Sequence, residues 1–309
     1  MTREDYGSEP PMPCFFFSHG TTANIMKKTP VAAYWEEVGR QALAQGVERI
    51  VVFSAHWETL NDEIRISADP HPKKQPVPWA DPTVYKYFDS NVDVNLAGEV
   101  HDILKGAGFD VKLEKDFEEV HDSFMVLKWM FPGGKSLPHV VVSHNARCDP
   151  GFHLRMGEAL RPLRFRKTLL LGSGGGVHNL YRNNWPQIVF RRDSAAQGRP
   201  PEQWAIDFSE GLTSVVVQNS GPGLRRGISR LMSHPQFRNA HGTDEHYIPA
   251  VVVAGAAGHQ DDTGTKNYVG AEAWELVNLR NMQYQFGDWP KAPHVTPIRN
   301  SIRDIKVGA

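Results

Sequence analysis

The sequence predicts a single α/β domain with a mostly parallel central sheet and helices on both faces. Three observations lead to this fold class. Short apolar runs end abruptly in polar residues and glycine, the segments between them show helical spacing of apolar residues, and the two patterns alternate along the chain. Such alternation is typical of helices that connect parallel strands. We expect one catalytic domain over residues 1–309, with its core at about 14–286 and a C-terminal extension at 287–309.

The first part of the chain illustrates the pattern. The apolar runs Phe15–Phe17 and Arg49–Phe53 are predicted to be buried strands. Between them, Pro30–Gln45 carries apolar residues at close to helical spacing and is followed by Gly46, a common helix end. These three segments form a β-α-β unit.

The same alternation continues towards the C-terminus. We predict further helices at Val94–Lys105, Ser123–Met130, Phe152–Leu163, 202–217 and 244–257. Further strands are predicted at Phe109–Leu113, Pro138–Ser143 and Thr168–Leu171, with a late edge strand at Asn281–Phe286.

Two segments are expected to lack regular structure. Residues 61–90 contain five prolines and are predicted to be a long ordered loop of the kind that covers a site. The last twenty residues, which hold three more prolines, are predicted to wrap the surface.

Composition excludes several classes of function. The 34 Lys and Arg residues against 35 Asp and Glu give a net charge of −1, so no basic excess favours nucleic acid or a membrane surface. The two cysteines, Cys14 and Cys148, are too few for a disulfide framework. With a polar N-terminus and no apolar run of the ~18 residues that a membrane span needs, we expect a cytoplasmic protein. The oligomeric state stays open.

Three of the 14 histidines follow the ends of predicted strands: His19, His56 and His178. In an open α/β sheet, ligands bind beyond the carboxyl ends of the strands, so these side chains are expected to converge. Imidazole is a ligand for Zn, Fe, Cu and Ni, whereas Mg and Ca require more oxygen ligands. The sequence therefore predicts a transition-metal site.

A further ligand is expected from residues 241–246. Thr243 is a plausible N-cap for the predicted helix, which would place Glu245 and His246 in its first turn. Consecutive helical residues point about 100° apart, so only one of the two faces the metal. We choose His246 and keep Glu245 as the alternative; His241 is expected in a solvated loop or in a supporting position behind the ligands.

Other candidates concern the substrate. His121 opens a predicted helix, and it either contacts substrate or is satisfied by the neighbouring Asp122. Trp57, Trp79 and Tyr247 are candidates for the wall of an aromatic pocket, with packing in the core or lid as the alternative.

Several motifs, taken together, resemble the class III extradiol ring-cleavage dioxygenases (LigB-like), with the DOPA 4,5-dioxygenase type as the most similar branch. The chain departs from that family in having His241-Gly242 where His-Pro is usual, and in its glycine-rich turn at 174–176. The segments that carry the resemblance are Ser18–Gly20, Ser54–Trp57, His121–Leu127, Gly172–Asn179 and Glu245–Pro249.

The resemblance implies an activity and a set of roles. Members use non-haem Fe(II) and O₂ to open a catechol ring to a semialdehyde acid, and some are isolated with zinc. Carried over to this chain, the resemblance makes His19 and His56 metal ligands, with His246 or its neighbour completing the site. His178 becomes the acid/base residue, close enough to serve as a fourth ligand, and His121 supplies a supporting hydrogen bond. The expected substrate is a small catechol, possibly DOPA-like.

Two alternatives remain. A zinc hydrolase on the same scaffold would hold Zn²⁺ through His19, His56 and His246 and use its bound water as the nucleophile. A metal-binding protein without turnover is the second alternative.

Overall fold

The computed structural model describes residues 9–191 and 193–291. The strands, numbered in chain order, are β1 (Cys14–Ser18), β2 (Arg49–Thr59), β3 (Glu63–Ser67), β4 (Lys73–Lys74), β5 (Asp110–Glu114), β6 (Glu118–Glu119), β7 (His139–Asn145), β8 (Thr168–Gly174), β9 (Asn267–Glu275) and β10 (Leu279–Phe286).

Eight strands form one sheet in the order β5-β3-β7-β2-β8-β1-β10-β9. The central strands β7, β2, β8 and β1 are parallel, whereas β3 pairs antiparallel with β7, and β10 pairs antiparallel with both β1 and β9. Strands β4 and β6 form a separate two-stranded parallel ladder. The predicted mostly parallel central sheet is confirmed.

The helices are α1 (Pro30–Ala44), α2 (Val94–Gly106), α3 (His121–Met130), α4 (Pro150–Leu160), α5 (Pro186–Arg191), α6 (Gln203–Gln218), α7 (Gly221–Leu231), α8 (Phe237–Ala240) and α9 (Ile248–Ala257). Local chemistry fixes several of their starts. Thr29 accepts a hydrogen bond from Ala32 N ahead of α1 (3.2 Å), and Asp149 accepts one from Phe152 N ahead of α4 (2.6 Å). Both helices have proline at their first position, where its missing N–H costs nothing.

The sheet separates two apolar cores, since successive strand residues point to opposite faces. Phe16 of β1 packs in the core that contains α2, α4, α6, α7 and α9. Its neighbours Phe15 and Phe17 pack in the other core, with α1 and α3. The predicted helices on both faces are confirmed.

Three predictions of local structure are wrong. Residues 61–90 are not all loop, because β3 lies within them and joins the main sheet. Strand β10 is not at the edge: β9, which the sequence analysis did not predict, lies outside it. The helix predicted at 244–257 begins only at Ile248, so Thr243 is not its N-cap.

Within the described ranges, no helix is both long and apolar enough to cross a membrane. The segment predicted to wrap the surface begins at residue 290, and from residue 292 onwards it lies outside the described residues.

Candidate metal centre

Four histidines meet at the carboxyl ends of the central strands; His19, His178 and His246 are buried, whereas His56 is exposed. His19 directly follows β1, His56 lies near the end of β2, His178 follows β8, and His246 precedes α9. The Nε2 atoms of His19 and His56 are 3.3 Å apart. The ring of His246 lies 5.2 Å from that of His19 and 4.8 Å from that of His56, measured between centroids.

His56 reaches the cluster because β2 is irregular. The register of β2 against β7 shifts between Phe53 and Glu58, where the β2 side contains extra residues. Such a bulge redirects side chains near the end of a strand. It places His56 beside His19 rather than in the ladder.

Asp122 holds this bulge in place. Its fully buried carboxylate accepts hydrogen bonds from Ser54 Oγ (2.6 Å), Ala55 N (2.8 Å) and His56 N (3.1 Å). It therefore does not satisfy His121, which corrects one of the two interpretations of that histidine. The His121 ring instead lies 4.5 Å from the His56 ring.

The glycine-rich turn after β8 connects the histidines through backbone contacts. Gly174 O accepts from His19 N (3.0 Å), and Gly175 N donates to His246 O (2.8 Å). A Cβ at Gly174 would overlap His246 O, so a side chain there would push the two segments apart. The turn thus explains the high glycine content noted in the sequence.

His246 is oriented by Glu245. The Glu245 carboxylate accepts from His246 Nδ1 at 2.9 Å and from Thr243 Oγ1 at 2.7 Å. The other ring nitrogen, Nε2, is buried and has no hydrogen-bond partner among the described residues. An imidazole with one nitrogen on a carboxylate and the other buried without a partner is typical of a metal ligand. Glu245 therefore supports His246 from behind instead of replacing it in the cluster.

Burial favours the neutral form of His19, His121, His178 and His246. The pKa values of His19 and His246 are well below the usual value, first because of burial and then because of the neighbouring imidazoles. Burial lowers the pKa of His121 and of His178 to about 3. Neutral imidazole keeps a lone pair free, which is the form that binds a metal.

Two groups of three histidines have their ring nitrogens within 4.8 Å of one another: His19, His56 and His121, and His19, His178 and His246. The predicted trio of His19, His56 and His246 is thus divided between two overlapping groups that share His19. His178 stacks on His246 with a centroid separation of 3.5 Å and an interplanar angle of 11°.

His241 and Tyr247 lie outside the cluster. His241 is fully buried, with Nε2 3.2 Å from Gly176 O, so the solvated-loop interpretation is wrong and a supporting position fits. Tyr247 is also fully buried and donates to Ile228 O at 2.9 Å. This corrects its prediction as a pocket wall, because its side chain faces the core.

A cavity of about 320 Å³ opens over the histidines. His19, His56, His121 and His178 are among its lining residues, and most of the other lining side chains are apolar. Trp79 of the proline-rich segment is a lining residue, whereas Trp57 packs on Phe117 with ring centroids 4.3 Å apart. Trp57 was predicted to contact the substrate, but its ring packs on Phe117 and it is not among the residues that line the cavity.

The sequence analysis missed several lining residues, namely Met26, Leu180, Trp185, Ile188 and Leu279. Leu180 and Ile188 belong to the short helical segments after His178, and Trp185 lies in the turn between these segments. Their spacing in the sequence shows no signal beyond ordinary amphipathic structure.

One wall of the cavity is fixed by a buried carboxylate. Glu275 of β9 accepts hydrogen bonds from Thr21 N, Thr21 Oγ1, Asn24 Nδ2, Ser194 Oγ and Asn281 Nδ2 at 2.5–3.3 Å. Gly20, at φ +67°, lets the chain turn after His19 with no side chain to strike Glu275 and Asn281.

Comparison with known protein families identifies the family of this chain. The family model described as the catalytic LigB subunit of aromatic ring-opening dioxygenase matches residues 12–287. The chain belongs to the LigB family. It is thus an extradiol ring-opening dioxygenase, as the resemblance in the sequence implied, and neither the hydrolase nor the protein without turnover is needed to explain the site.

Individual LigB relatives are distant but cover most of the chain. A 4,5-DOPA dioxygenase extradiol from Escherichia coli K12 is 26% identical over 89% of this chain and 95% of its own length. One from Beta vulgaris is 25% identical over 79% of this chain and 86% of its own length. The crystal structure of an uncharacterized E. coli K12 protein aligns with a TM-score of 0.71 at 25% identity, covering 89% of this chain and all of that one.

Proposed function

We propose that this LigB protein is an Fe(II)-dependent extradiol dioxygenase that opens a catechol ring with O₂ to give a semialdehyde acid. The observation that carries the proposal is the buried Nε2 of His246, which has no hydrogen-bond partner among the described residues and lies beside His19 and His56, two histidines that line a cavity of about 320 Å³. Residues 14–286 would form one catalytic domain.

The cluster of imidazole nitrogens fits a transition metal. We assign His19, His56 and His246 as its ligands, with His178 near enough to be a fourth. Bound Fe(II) would supply the path for electrons between a catechol and O₂, while leaving coordination positions open. The apolar side chains of the cavity lining would hold the catechol ring and exclude bulk water.

His178 is assigned the proton transfer. Its backbone is fixed by a hydrogen bond from its N–H to Ala240 O (2.8 Å), and its ring lies against His246 at the cavity surface. Burial lowers the pKa of His178, so its ring is neutral imidazole before substrate binds. We assign it to take a proton from a catechol hydroxyl, because the negative charge left on the catechol would then stabilise the imidazolium, and to return that proton later. We assign His121, another lining residue of the cavity, a hydrogen bond to a substrate oxygen.

Glu245→Gln is expected to weaken Fe(II) binding by about 10- to 100-fold, the usual effect of losing a carboxylate behind a ligating histidine. The amide retains an acceptor but loses the charge that makes the imidazole a better donor to metal. Competition with a chelator under anaerobic conditions measures the affinity. Asp244→Asn is the matched control, because the adjacent Asp244 pairs with Arg238 instead. Equal affinities in the two variants would remove Glu245 from this role.

Metal exchange is expected to separate binding from turnover. Zn²⁺ has no redox chemistry, so zinc-loaded protein should bind catechols and consume no O₂, whereas Fe(II)-loaded protein should do both. Calorimetry measures the first property and an oxygen electrode the second. Efficient ester or amide hydrolysis by the zinc form, with catechols ignored, would instead support the hydrolase.

A further inference from the structure

We infer that the catechol this site accepts carries an uncharged, apolar substituent. The inference rests on the proposed function and concerns the part of the cavity lining that is not made of histidines. Six of its side chains offer carbon surface and aromatic rings: Met26, Pro78, Trp79, Leu180, Trp185 and Ile188.

Over residues 9–191 and 193–291, the lining contains no Lys, Arg, Asp or Glu. Its titratable groups in those ranges are the four histidines. A charged substituent would therefore leave water without meeting an acidic or basic side chain of the described residues, and that desolvation is costly.

Two hydroxyl groups of the lining, those of Thr21 and Ser194, are already engaged. Thr21 Oγ1 and Ser194 Oγ both donate to Glu275, at 2.8 and 2.5 Å. To bind a carboxylate, either hydroxyl would have to give up a charge-assisted hydrogen bond. The negative charge of Glu275, behind this wall, further opposes an anionic substituent.

A basic residue beside the lining is also engaged. Lys27 follows the lining residue Met26, and its ammonium pairs with Asp193 at 2.9 Å. Asp193 precedes the lining residue Ser194, so the positive and the negative group of this ion pair both lie beside the lining. Since the two groups pair with each other, neither is available to a charged substrate.

Four catechols with side chains of similar length test the inference: propylcatechol, dopamine, dihydrocaffeate and DOPA. They differ in carrying no charge, an ammonium, a carboxylate, or both. We expect zinc-loaded protein to bind propylcatechol at least about tenfold more tightly than the other three, as a single unmatched charge implies. Calorimetry gives the dissociation constants, and kcat/KM of the iron-loaded protein should follow the same order.

A variant that adds a cation tests the location. Ile188→Lys introduces an ammonium into the lining and should raise the preference for dihydrocaffeate over propylcatechol by roughly tenfold. Val189→Lys is the matched control: it adds the same charge to the same helix at a side chain outside the lining that is 73% exposed. The control should keep the selectivity of the unaltered protein. An equal change in selectivity in both variants would mean that the lining at Ile188 does not contact the substituent of the catechol.

The outcomes separate this inference from the proposed function. If dihydrocaffeate or DOPA binds and reacts as well as propylcatechol, the inference is overturned while ring cleavage stands. If propylcatechol binds most tightly but no catechol supports O₂ uptake, the selectivity holds and the proposed function fails. If no catechol binds, both fail.

Discussion

His19→Ala is expected to reduce Fe(II) content from about one ion per chain to below roughly a tenth of that, because a three-histidine site that loses one ligand no longer holds the metal. A large effect is expected because His19 belongs to both groups of converging nitrogens, with Nε2 3.3 Å from that of His56. His56→Ala should give the same result. Metal analysis after anaerobic reconstitution and desalting measures the content.

The fold should survive these changes. Both side chains face the cavity, and packing several imidazoles together without a metal stabilises little. The circular dichroism spectrum should therefore stay unchanged. His71→Ala, in the exposed part of the proline-rich segment, serves as the control and should retain full metal content. Full occupancy in His19→Ala would refute the assignment of the ligands.

His178→Phe is expected to lower kcat by roughly 10²–10⁴, the usual range for a general acid/base, with less effect on catechol binding. Phenylalanine keeps an aromatic ring against His246, where the native rings are 3.5 Å apart, and removes only the nitrogens. Metal content and steady-state O₂ uptake are measured on the same iron-loaded sample.

The three possible results of that experiment have different meanings. Retained iron with lost turnover supports proton transfer by His178. Lost iron would make His178 a structural ligand, as its place in one of the two histidine groups allows. Undiminished turnover would remove it from the mechanism.

The convergence of the histidines was predictable because it depends on topology. His19 and His178 follow parallel strands that are neighbours in the sheet, and β2 lies on the other side of β8. The position of His56 required more, since the bulge in β2 and its anchoring by Asp122 have no local signature in the sequence.

The errors have physical causes. Glu63–Ser67 alternates polar residues with Ile64 and Ile66, a strand signal that the many prolines after it outweighed in the prediction. Tyr247 lies beside a histidine of the cluster yet faces the opposite way, because its hydroxyl is paired in the core. Trp185 and Ile188 reach the cavity only through tertiary structure.

The hydrogen bonds to Glu275 determine how late in synthesis this wall of the cavity can form. Thr21 and Asn24, near the start of the chain, are joined to a residue more than 250 positions later. A nascent chain that ends before β9 therefore lacks the carboxylate that fixes this wall, even though His19, His56 and His178 have already emerged from the ribosome. The substrate cavity is finished only when the last hairpin of the sheet closes against β1, so a truncated translation product would carry the histidines without the enclosure around them.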